Sequence, residues 1–159
     1  SDDHEQLITR PRELQDNATP SGNAMAAFVL LRLAGLSGEL RYAELARRSL
    51  GQVQTLLAQY PLGFGQWLIA LDYALAHPRE IAIVGDPDAG DTRALLEVCR
   101  TGYRPHQIVA LGAPDAAAST IPLLQGRNQI EGCATAYVCV DMSCRAPVTD
   151  PQALQVLLE

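Results

Sequence analysis

The sequence predicts an α/β protein, a three-helix segment followed by a small three-stranded, mainly parallel sheet with flanking helices. Three observations carry this. Between residues 20 and 77, apolar residues recur at helical spacing. Beyond residue 79, short β-branched runs bounded by Gly, Pro and Asp alternate with helix signals. The change falls near His77–Arg79, which divides the chain into 1–78 and 79–159.

Residues 1–18 have no sustained period and are interrupted by Pro11, so an extended arm is expected. Thr19-Pro20 then reads as a helix start: Thr19 can cap, and Pro20 gives up an N–H that would be orphaned there. From Ala24 to Ala34 every residue except Arg32 is apolar, and Gly35 and Gly38 end the run. A helix apolar all round needs neighbours on every side. The second helix, Leu40–Gln59, has one apolar stripe (Tyr42, Leu45, Ala46, Ser49, Leu50, Val53, Leu56, Leu57) and a charged opposite side. Pro61 opens a third helix with Phe64, Trp67, Leu68, Leu71 and Leu75 on one face. Its other side, with Ile69, Ala70, Tyr73 and Ala76, is also apolar. Two of three helices thus call for burial on both sides. Either the chain forms a homo-oligomer or the missing helices lie upstream in a longer protein.

The strand signal is Glu80–Gly85, followed by an Asp/Pro/Gly loop. Asp91 or Thr92 can cap a helix to about Thr101, with Leu95, Leu96 and Cys99 inward and Gly102 as its stop. Gln107–Leu111 is the second strand, completing a βαβ unit. Ala134–Val140 is the third strand. Asp150-Pro151 starts a closing helix with Leu154, Leu157 and Leu158 inward.

Composition excludes several functions. The chain has 159 residues, 48% hydrophobic and 19% charged, enough for a core and too little charge for disorder. A net charge of −6 disfavours nucleic acid and anionic membrane surfaces as partners. All twelve basic residues are Arg. Without Lys there is no Schiff base, pyridoxal-phosphate anchor or Walker lysine, and no cofactor motif stands out. No apolar run reaches the ~18 residues of a spanning helix. Four Cys at 99, 133, 139 and 144 lack the spacing of a secreted scaffold, which makes a reducing cytoplasm the expected setting.

Few residues invite a chemical role. Asp86, Asp88 and Asp91 could meet a cation, but their spacing matches no known loop and a solvated acidic turn explains them better. Cys139 and Cys144 are either structural thiols, a disulfide or redox pair, or metal ligands; no metal-ligand spacing completes a zinc set. His4, His77 and His106 are scattered. The polar segment Asp16–Asn23 precedes the most apolar helix. Capping accounts for Thr19 and Ser21 but leaves Asp16, Asn17 and Asn23 over.

Several motifs occur together: Arg10-Pro11-Arg12-Glu13, Asp16, Pro20-Ser21-Gly22-Asn23 and Gly35-Leu36-Ser37-Gly38. They continue through Pro61, Ile81–Gly85, Arg104-Pro105-His106, and Ala136-Tyr137-Val138-Cys139 with Cys144 and Pro147. In this order they resemble the C-terminal portion of the thioredoxin-domain-containing family that includes spermatogenesis-associated protein 20. The resemblance implies a parent with a thioredoxin-like domain and an (α/α)6 toroid similar to N-acylglucosamine 2-epimerases and six-hairpin glycosidases. The helices here would be the toroid's last hairpins. A short sheet with no convincing catalytic constellation points to a non-catalytic structural or interaction module, and the resemblance implies a carbohydrate-active or epimerase-like parent. The module's partners would be the upstream toroid and thioredoxin domains, with a sugar ligand contacting Asp16, Ser21 and Asn23. The alternative is a redox module in which Cys139 and Cys144 exchange with the thioredoxin domain. This chain itself holds no C-x-x-C.

Overall fold

The computed structural model describes residues 13–115, 119–141 and 143–159. Most of the expected arm lies outside them, and residues 13–20 form neither helix nor strand. Helix α1 runs Gly22–Ser37, α2 Leu40–Gln59 and α3 Gly65–Leu75. Strand β1 (Arg79–Val84), helix α4 (Gly90–Arg100) and strand β2 (Gln107–Gly112) follow. Strands β3 (Thr135–Val140) and β4 (Ser143–Cys144) and helix α5 (Pro151–Leu158) complete the chain.

Local chemistry explains the helix ends, with some departures from expectation. The cap of α1 is Ser21, not Thr19: its Oγ accepts from the Ala24 N–H, so Pro20 lies before the helix. Gly35 does not stop α1, which continues to Gly38, where a φ of 68° suits glycine. In α2 the buried stripe is Ala43, Ala46, Leu50, Val53 and Leu57, a 3–4 alternation that leaves Leu45 outside. Pro61 opens a 3-10 turn, Pro61–Gly63, and α3 begins after it. The inward face of α3 is Trp67, Ala70 and Tyr73, with Leu68 and Leu75 turned out. Helix α4 is not capped by Asp91 or Thr92, which lie inside its first turn. Asp150 caps α5 as expected, accepting from the Ala153 N–H.

The sheet corrects the expectation of three mainly parallel strands. Among the described residues it has four, in the order β2-β1-β3-β4, and of these only β1 and β2 run parallel. Strand β3 lies antiparallel to β1, and β4 antiparallel to β3. A parallel β3 would need a second crossover element. The connection from β2 instead carries a 3-10 turn, Pro122–Leu124, and returns the chain in the opposite sense.

Strand β1 is central, and its residues from Ile81 to Val84 are fully buried, which is why it reads as a continuous apolar run. Ala82 and Val84 join Ile108, Leu123, Leu124 and the inner faces of α1–α3 in one core. Ile81 and Ile83 face the other, with Leu95, Val138, Leu154 and Leu158 beneath α4 and α5. The helical segment therefore shares its core with one sheet face. Gly35 brings α1 against β2: a Cβ there would overlap the Ile108 side chain.

Helices α1 and α3, which the sequence expects to be buried on both sides, stay partly uncovered. On α1, Met25, Val29 and Leu33 are 40%, 45% and 40% exposed, one stripe at i, i+4, i+8. On α3, Ile69 and Leu75 are 53% and 74% exposed. No helix among the described residues is long and apolar enough to cross a membrane.

Candidate functional site

The polar segment before α1 is drawn together, and its hydrogen bonds are internal. Asp16 Oδ1 accepts from the Ser21 N–H at 2.7 Å and Oδ2 from the Gln66 N–H at 2.8 Å. One carboxylate thus serves the N-terminal ends of both α1 and α3, where unpaired N–H groups favour negative charge. Ser21 Oγ donates to the Glu13 carbonyl at 3.0 Å, and Asn23 Nδ2 donates to the same oxygen at 3.2 Å. The Trp67 indole N–H donates to the Leu14 carbonyl at 2.7 Å. Beside this brace lies an apolar cleft of about 790 Å³ between Leu14, Leu56, Tyr60, Leu62 and Phe64.

The acidic loop after β1 is also committed. Asp86 Oδ1 accepts from the Asp88 N–H, and Asp88 pairs with Arg93 at 2.9 Å. Asp91 accepts from the Ala134 N–H and the Thr92 N–H, and these two bonds hold its carboxyl below the usual range. It fastens the start of α4 to the segment entering β3. Among the described residues no three His, Cys, Asp or Glu gather as a metal site. His77, between α3 and β1, pairs with Asp141 of the β3–β4 turn at 2.6 Å, and His106, just before β2, pairs with Asp72 of α3 at 2.5 Å.

The remaining cluster is built on the β3–β4 hairpin. Register places Cys139 directly opposite Cys144, and the two are disulfide-bonded. Cys139 is 2% exposed, whereas Cys144 lies on the surface. Glu80 of β1 is opposite Cys139 on the other side. Arg127 reaches in from the β2–β3 connection, its Nη2 3.1 Å from Cys139 Sγ and 3.6 Å from Cys144 Sγ. The guanidinium lies over the Tyr137 ring, 5.4 Å from its centroid, and the Tyr137 hydroxyl donates to the Asn128 carbonyl at 2.7 Å. Burial lowers the Arg127 pKa, and the Glu80 charge opposes that. Burial raises the Glu80 carboxyl, Arg127 pulls it down, and Asp141 raises it further. Arg127 Nη1 is buried and has no hydrogen-bond partner among the described residues. Nothing in the sequence marked Arg127: it stands twelve residues before Cys139 in a loop without periodicity.

The other two cysteines are free, Cys99 buried and Cys133 exposed. Burial pushes the Cys99 thiol up to about 11, with Arg104 and Arg100 opposing.

No family model matches the chain, and no solved structure does. Among curated proteins it is 33% identical over 155 residues to spermatogenesis-associated protein 20 of Rattus norvegicus, and equally to that of Homo sapiens. The Mus musculus protein is 31% identical over the same length. Each match takes in 96% of this chain, which spans about a fifth of the relatives' length (20%). Over nearly its whole length the chain is homologous to one segment of spermatogenesis-associated protein 20.

Proposed function

We propose that the chain is a structural and interaction module, non-catalytic by itself, whose exposed helix surface docks on helices of a longer family polypeptide. The observation that carries this is the uncovered apolar stripe of α1, with Ile69 and Leu75 of α3. The relatives supply the candidate occupant, since four-fifths of their length lies outside the matched segment (20% is matched). An exposed apolar stripe along a helix is a candidate interaction surface. On this reading α1–α3 are the last hairpins of an (α/α)6 toroid, and the module's partners are the toroid and thioredoxin domains of the parent. The apolar cleft by Leu62 would take a partner side chain, not a sugar.

A carbohydrate-active or epimerase-like activity, and a cytoplasmic setting, belong to the parent in this proposal. Sugar contacts by Asp16, Ser21 and Asn23 would compete with the bonds that brace α1 and α3.

The test is co-expression of the chain with the remaining polypeptide as a separate chain. Stable co-purification is expected, and Val29→Asp or Ile69→Asp should abolish it while leaving the far-ultraviolet circular dichroism unchanged. A chain that instead dimerises through these residues, or that fails to associate at all, would refute the proposal.

A further inference from the structure

We propose that Cys139–Cys144 is a thiol–disulfide exchange site for a dithiol reductant, with Cys144 the sulfur attacked and Cys139 the leaving thiolate held by Arg127. Accessibility sets the direction. An incoming thiolate can reach the exposed Cys144, whereas Cys139 is sealed into the sheet at 2% exposure. Exchange also runs faster when the departing thiolate is stabilised. Arg127 Nη2 lies 3.1 Å from Cys139 Sγ, against 3.6 Å from Cys144, and a guanidinium keeps its charge at neutral pH.

A structural purpose fits the bond less well. The two cysteines are five positions apart, and the entropic effect of a cross-link on the unfolded chain grows with the length of loop closed. The hairpin already sets them opposite each other through backbone pairing.

The steps balance. A thiolate of the dithiol attacks Cys144 Sγ, forming a mixed disulfide as the Cys139–Cys144 bond breaks. The electron pair goes to Cys139 Sγ, as a thiolate beside Arg127. The dithiol's second sulfur, deprotonated, attacks its own sulfur in the mixed disulfide and releases Cys144 as thiolate. Both cysteine thiolates then take up the two protons that the dithiol lost. The dithiol leaves oxidised to a disulfide, and the chain holds two thiols.

Brief exposure of the oxidised chain to glutathione, followed by acid quench, alkylation and peptide mapping, tests the direction. Glutathione should be found on Cys144 and the alkyl group on Cys139, about tenfold over the reverse pattern. The mapping uses the unaltered chain, so a failed fold cannot mask its result. Reduction by dithiothreitol should slow about tenfold in Arg127→Gln and be largely retained in Arg127→Lys. Glutathione mainly on Cys139, or equal rates in the unaltered chain and a folded Arg127→Gln, would overturn the proposal.

Discussion

Tyr73 illustrates how a single buried group sets a measurable behaviour. Its hydroxyl is enclosed and has no hydrogen-bond partner among the described residues. Burial pushes the phenol up to about 12, Arg32 lowers it and Glu80 raises it. Because the folded pKa is raised, this contribution to stability is intact below about pH 10, the unfolded value, and is lost between there and about 12. Tyr73→Phe should therefore stabilise the chain by ~1 kcal/mol in urea unfolding at neutral pH, since no bond is lost and a buried hydroxyl is removed. It should also delete a tyrosinate step near pH 12 in an ultraviolet titration. Asp91 behaves in the opposite sense. Its depressed carboxyl gives stability present above the ordinary aspartate range near pH ~4 and lost as pH falls through the folded value. Asp91→Asn should flatten the acid limb of a stability–pH curve; an unchanged limb would deny the clamp to Ala134. Neither role was legible in sequence. Asp91's partner is 43 residues away, and the acidic loop gave no sign of which carboxylate meets a distant backbone N–H.

At the scale of elements, the Asp16 brace joins two helix starts that the sequence shows only separately. Asp16→Ala removes both bonds and should cost about 2 kcal/mol, two caps of ordinary strength, by chemical denaturation. A loss under about 0.5 kcal/mol would mean that water serves these ends as well. The seat of α1 on β2 is a second case. Gly35→Ala would gain ~1 kcal/mol of helix propensity yet overlap Ile108, so a net loss of about 1 kcal/mol is expected. Ile108→Val in the same chain removes the overlapped methyl and should recover part of it, which thermal melts of the double variant would show. Helix α2 was legible to its ends because its stripe keeps one period between Gly38 and Pro61. Strand β3 was legible in place but not in direction, because side-chain pattern carries no information on parallel or antiparallel pairing. Strand β4 has two exposed residues, too few to show any alternation.

Across the whole molecule, sheet and helices form one layered body in which α1 is the mediator. It packs on α2, α3 and the sheet, and still presents Met25, Val29 and Leu33 outward. The excess of apolar helix surface could be read from the sequence, since α1 has almost no polar residue to turn toward water. The surface left open could not, because it depends on which sides α2, α3 and the sheet cover. The most direct measurement is hydroxyl-radical footprinting of this chain alone and in a longer polypeptide that carries the proposed docking helices, with the exposed Tyr103 and Val156 as internal references. Docking predicts that labelling of Met25, Val29, Leu33 and Ile69 falls several-fold in the longer polypeptide while the references hold. Equal labelling of those four residues in both forms would contradict it.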